Sequence, residues 1–219
     1  MYNQFMTKKI NKVIKNLIYS DVFLLTGLGF VAPIFAIYLT ENIEGGNIEV
    51  VGFAAAIFWI VNSLVIIPIG RFLDKNHGEK DDLWFIVLGN ILAALAVLGY
   101  LFSKFPWHIY ILQGLYGLGM AMNMAGYTAI FTRHIDKDKE AYEWSVRGAW
   151  VGIGSGLAGA VGGWVAYNFG FTNLFIGIII FILVSAILPL LILKEMKMRD
   201  KAEPVFPEIK TMPPTAPKE

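Results

Sequence analysis

The stretch "PIGRFLDKNHGEKDD", Pro68 to Asp82, gathers basic and acidic side chains and His77 into one short turn. It stands between two of the most apolar parts of the chain, Val50–Ile69 before it and Leu83–Ser103 after it. Working outward, four more apolar runs follow the same plan: Leu17–Thr40, Trp107–Thr132, Gly148–Gly170 and Phe171–Leu193. Each is near or above the ~20 residues that a helix needs to cross the hydrocarbon core of a bilayer. A helix of a soluble core is amphipathic, whereas these are apolar on nearly every face. Asp21 is the sole charged side chain clearly inside a run, and His108 stands at the start of the fourth. The expected fold is therefore an all-α membrane protein with six transmembrane helices.

Composition agrees. The 219 residues are 56% hydrophobic and only 16% charged, with a mean hydropathy of +0.59; soluble domains carry about a quarter charged residues. A net charge of +1 makes no single-sign field for nucleic acid. The absence of cysteine excludes disulfides and thiolate metal sites. The first run is longer than the apolar part of a signal peptide and no small-residue cleavage site follows it, so it reads as a retained anchor. The chain divides into an amino-terminal segment (1–16), a six-helix domain (17–195) and a polar, proline-rich tail (196–219) of flexible composition.

Orientation follows from the basic residues, which favour the cytoplasmic side. Of 18 Lys and Arg, only Lys104 falls in the alternate loops. The rest precede the first span, follow the sixth, or lie between spans two and three and spans four and five. Both termini and the charged turn are thus expected on the cytoplasmic side of a plasma (inner) membrane. The loop "ENIEGGNIE" (Glu41–Glu49) is acidic, as suits the outer side.

With that address, the turn resembles the signature loop of the major facilitator superfamily: Gly70, three residues, Asp74, the basic Lys75, then Gly78 and Lys80. It differs by one extra residue before Gly78 and by Glu79 where a basic residue is usual. "GSGLAGAVGGWVAYNFGFTNLF" (Gly154–Phe175) is similar to that family's glycine-rich fifth helix and aromatic turn. Ala158 and Gly159 replace the Gly-Pro pair of the antiporter version, so antiport is not implied. "TGLGFVAP" (Thr26–Pro33) and "YGLGMAMN" (Tyr116–Asn123) echo one another between spans one and four, in keeping with the three-plus-three inverted repeat of such transporters. The resemblance covers roughly Ile18 to Leu193 and implies half of a facilitator fold. Two readings stay open: a half-size transporter that pairs with a second copy, favoured because an open inner seam suits lipid poorly, or the amino-terminal half of a longer transporter.

Helical periodicity picks out three faces. Gly148, Gly152, Gly156, Gly159 and Gly163 fall within about 80° of one another at 100° per residue, a smooth stripe for close helix approach. Gly52, Ala56, Trp59, Ser63 and Gly70 share a face of span two. By resemblance, spans two and five of one half meet spans five and two of the other, across a twofold axis along the membrane normal. Gln113, Tyr116, Met120, Asn123 and Tyr127 form the third face, in span four. Their uncharged polar, aromatic and thioether groups suit a cavity for a small-molecule substrate; the plainer alternative for Gln113 and Asn123 is bonding between helices. Asn62 and Asn90 are assigned to such bonds.

Asp21 is the candidate for proton coupling, because an intramembrane carboxylate marks an ion or proton pathway by default. The alternative is a carboxylate that reaches water or pairs with Lys15. The resemblance also implies a conformational latch at Gly70, Arg71, Asp74, Lys75 and Gly78, with Arg133 and Arg147 as partners. Asp74 would dock on the start of the fifth span of a second copy, near Glu143–Arg147, when the cytoplasmic ends close. No phosphate-binding loop, HExxH motif or histidine cluster is present, so neither an enzyme nor a cofactor or metal is expected. The expected partners are membrane lipid, a second copy of the chain and a small solute, and not nucleic acid. The rival of another class is a non-transporting membrane subunit.

Overall fold

The computed structural model describes residues 10–76 and 78–193. Lys8, Lys9, His77, the basic residues from Lys194 onward and the expected tail 196–219 lie outside the described residues. Among those described, the chain is helical throughout: α1 (Lys12–Gly29), α2 (Phe35–Asn42), α3 (Ile48–Asn76), α4 (Glu79–Tyr100), α5 (Pro106–His134) and α6 (Glu140–Ile187), then a short 3₁₀ helix, Leu188–Ile192. By length and composition, three of these stretches can cross a membrane: Ile48–Lys75, Glu79–Tyr100 and Glu140–Ile192.

Local chemistry sets the boundaries. The Asn11 side chain accepts from the Ile14 amide at 2.9 Å and caps α1, and Asn47 does the same for Val50 at 3.0 Å at the start of α3. Pro106 opens α5, where its missing N–H costs nothing. Glu79, Asp81 and Asp82 occupy the first turn of α4, and Arg133 and His134 the last turn of α5. Both placements complement the helix dipoles.

One expectation is corrected in detail. The first apolar run is not one helix, since it opens between Gly29 and Phe35, around Pro33. The break lies where α6 crosses. A Cβ at Gly29 would stand 2.8 Å from the Ser155 Cα, and one at Gly162 would meet the Phe30 carbonyl oxygen. The fifth and sixth runs part at Gly170, where a non-helical φ of 79° and ψ of 167° divides α6 into two helical segments at the expected run boundary. That backbone region is essentially open to glycine alone. The chain doubles back there. Ser20 bonds Ser185 and its neighbour Asp21 pairs with Arg147, two residues that a straight helix would hold over 50 Å apart at 1.5 Å per residue.

α1 packs along both segments of α6, α4 along α5, and α3 chiefly along α5. Glycines allow the α4–α5 crossing: a Cβ at Gly119 would lie 2.6 Å from the Gly89 carbonyl oxygen. Two apolar clusters result. One joins Leu24, Tyr38, Val97, Tyr100, Ile109, Phe175 and Ile178. The other joins Ile14, Leu17, Leu83, Ile86, Tyr127, Ile130 and Phe131, at the end that carries the charged turns.

Candidate functional site

Between the two clusters runs a buried chain of polar side chains. Asn123 donates to the Asn90 carbonyl oxygen at 2.8 Å, and the Asn90 amide donates to Ser185 Oγ at 3.0 Å. Ser20 Oγ donates to the Ser185 carbonyl at 2.8 Å, so the 3.2 Å contact between the two hydroxyls is a donation from Ser185. Every step has one direction, and α1, α4, α5 and α6 are joined through side chains that lipid would leave unsatisfied. Asn62, on α3, donates to the Gly117 carbonyl of α5 at 3.2 Å. Asn123 is thus engaged between helices and not in an open cavity, the plainer of its two readings.

The span-four face divides accordingly. Gln113 and Tyr116 line a cavity of about 340 Å³ beside the α1–α2 break, with Val31, Phe35, Val51, Trp59 and Tyr100 among its walls. Tyr116 stacks on Phe58 with centroids 5.0 Å apart. The buried Gln113 amide has no hydrogen-bond partner among the described residues and is the cavity's polar handle. Met120 packs against the first apolar cluster, and Tyr127 lies in the second, stacked on Phe131. They do not line this cavity.

Asp21 is 5% exposed, and its partner is Arg147, at 2.7 Å, not Lys15. The guanidinium also lies 5.2 Å from the Tyr127 ring centroid and 5.5 Å from that of Trp144. Arg147 is therefore committed within its own chain, which corrects its expected place in the latch. Arg133 is likewise taken, by the fully buried Asp82. Asp82 had no site role assigned from sequence; its place in the acidic first turn of α4 was legible, but its packing against Gly126 was not.

More ionisable groups gather at this end. His134 Nε2 lies 3.4 Å from Glu79 Oε1, Asp136 pairs with Lys139 at 3.1 Å, and the buried Glu143 accepts from the Asp136 amide at 3.3 Å. Partial burial pushes the Asp136 carboxyl up, but the bonds from Lys139 and Asn11 outweigh it and hold it below the ordinary range. The buried Glu143 and His134 had no role assigned from sequence either. Nothing in the pattern marked them, because their burial arises from helix packing. Among the described residues no group of His, Asp and Glu is arranged to hold a metal ion.

Gly70 and Asp74 of the signature turn border a groove of about 510 Å³ between α3 and α5, with Thr128, Thr132 and Arg133 on its far wall. Arg71 and Asp74 are exposed and carry no ion pair among the described residues. Lys75 is exposed as well, and Gly78 precedes the first turn of α4. Gly52, Ala56, Trp59 and Ser63 all lie on an exposed face of α3. A Cβ at Gly148, Gly152, Gly156 or Gly163 would meet nothing within 4 Å. Gly159 departs from that set, lying 3.7 Å from Gly29 O and from Pro33 through its added Cβ.

Two comparisons bear on what this arrangement is. The family model described as Major Facilitator Superfamily matches residues 20–216. The comparison with curated proteins gave no match.

Proposed function

The chain belongs to the major facilitator superfamily, an integral membrane protein of transporter type, and on that premise we propose that it works as half of a transporter. The second half is a second copy, and the pair moves a small uncharged solute by alternating access about a midplane site. In this reading α1 with α2, α3, α4, α5 and the two segments of α6 make six spans as a three-plus-three repeat. Both termini and the charged end face the cytoplasm of the inner membrane.

The observation that carries the proposal is the uncovered pair of faces. Gly148, Gly152, Gly156 and Gly163 of α6 and Gly52, Ala56 and Ser63 of α3, with Trp59 beside them, offer a smooth face to a close neighbour that no other described residue supplies. The Gln113–Tyr116 cavity supports a neutral solute, since its described walls are apolar and aromatic with one amide. Asp21 is the acid available for proton coupling. Arg147 is the counter-charge that would be released when it takes a proton.

Reconstituted uptake of uncharged solutes, with and without a pH gradient, tests this, together with the mass of the purified protein in lipid nanodiscs. A stable homodimer with saturable uptake is expected. Uptake that remains gradient-driven in Asp21→Asn would remove Asp21 from coupling. A monomer without uptake would favour a non-transporting subunit or the half of a longer transporter.

A further inference from the structure

His134 ends α5 and Glu79 begins α4, and both are buried. His134 Nδ1 lies 3.0 Å from the Ile130 carbonyl, which can only accept, so Nδ1 carries a proton. In a neutral ring Nε2 would then present a lone pair to the Glu79 carboxylate, 3.4 Å away. Two acceptors facing one another in a buried site repel. A second proton on Nε2 turns the contact into a charge-assisted pair. Both helix ends favour that form, a cation at the C-terminus of α5 and an anion at the N-terminus of α4.

We propose that His134 and Glu79 form a proton-binding site whose occupancy clamps the charged end of the bundle shut. The clamp reaches a third element through Asn11, which caps α1 and donates to the His134 carbonyl at 2.5 Å. Among the described residues, the other ionisable groups at this end either bond elsewhere or are exposed. On α4 and α5, Asp82 holds Arg133. In the loop Asp136 holds Lys139, on α6 Glu143 accepts from the Asp136 amide, and on α1 Lys12 is exposed. The proton enters and leaves from the same side and crosses nothing, so the site regulates and does not couple. Where the proposed orientation holds, it reports cytoplasmic pH.

The sign follows from linkage. The clamped state holds one proton more than the open state, so clamping is complete at low pH and is lost as pH rises through the pair's titration. The opening equilibrium then grows by up to about tenfold per pH unit. Glu79→Gln should remove this dependence, because the glutamine amide can donate to a neutral His134 Nε2 without any added proton.

The test uses the full chain in lipid nanodiscs with ring-nitrogen-labelled histidine, and His77→Gln with His108→Gln to isolate the His134 signal. At pH 7 both ring nitrogens of His134 should carry protons, and in Glu79→Gln only Nδ1 should. Amide exchange in the first turn of α4 and the last turn of α5, corrected for its intrinsic rate, should rise with pH in the parent and stay flat in Glu79→Gln. A neutral His134 at pH 7 in the parent overturns the proposal, whether or not the variant folds. So does exchange that is equally pH-dependent in both proteins. Neither readout depends on transport.

Discussion

A carboxylate at position 21 persists in an apolar helix because Arg147 meets it at 2.7 Å while Tyr127 and Trp144 cover the guanidinium. Removing one member leaves the other charged and badly solvated, a situation that costs about 3–5 kcal/mol in buried pairs. Arg147 keeps some exposure (27% of its side chain), so Asp21→Leu should fall at the lower end, near 3 kcal/mol. The double change Asp21→Leu with Arg147→Met should recover most of that loss in thermal unfolding. If the double variant is as unstable as the single one, the pair is not what holds α1 to α6 there. Gly170 makes a second prediction at this scale. Its φ of 79° and ψ of 167° turn the chain back on itself, so Gly170→Ala should cost about 1–3 kcal/mol. Gly177→Ala, in the same helix with nothing within 4 Å of an added Cβ, should change stability by far less.

Between elements, the glycines sort by what they touch. At Gly89 an added Cβ would come 2.6 Å from the Asn123 amide nitrogen, against backbone that cannot swing aside. Gly89→Ala should therefore separate α4 from α5 and strain the Asn123–Asn90 bond, at about 1–3 kcal/mol as for other overpacked sites. Gly156→Ala adds a methyl to open space and should leave the stability of the single chain within about 0.5 kcal/mol, as surface changes usually do. Chemical unfolding of both variants in the same detergent makes the comparison. Equal losses would mean that the α4–α5 crossing is looser than its geometry.

For the whole molecule the decisive question is what covers the α3 and α6 faces. Gly156→Leu or Gly163→Leu should weaken pairing of two copies, while Gly177→Leu, equally open but on the second segment of α6, should not. Gly154 cannot serve as the reference, since a Cβ there would strike Thr26 of α1. The latch also belongs at this scale. With Arg147 and Arg133 held within the chain, Asp74, which has no ion pair among the described residues, would dock on the amide end of α6 in a second copy. A carboxylate gains about 0.3–1 kcal/mol from a helix start, and up to ~2 when partly buried. Cysteines at Asp74 and Trp144 should cross-link between copies, more readily when the outward-open state is trapped. Cross-links only within one chain would leave the charged turn as a topology signal.

By itself the sequence determined that this is a helical membrane protein, where its apolar runs lie and which family its signature turn belongs to. Those properties are written in run length, in Lys and Arg placement and in local spacing, and each acts over a few turns of one helix. Only the tertiary structure decided the partners. Asp21 meets Arg147 and not Lys15, Asn123 meets Asn90, and Asp82 meets Arg133, because α1 with α6 and α4 with α5 cross at glycines and bring those side chains to one level. Periodicity put Gln113, Tyr116, Met120, Asn123 and Tyr127 on one face. It could not say that the cavity reaches only the first two, since that depends on where α1 breaks and where α4 closes against α5. The same limit hid His134 and Glu79, an ordinary helix end and an ordinary helix start until packing removes the water between them.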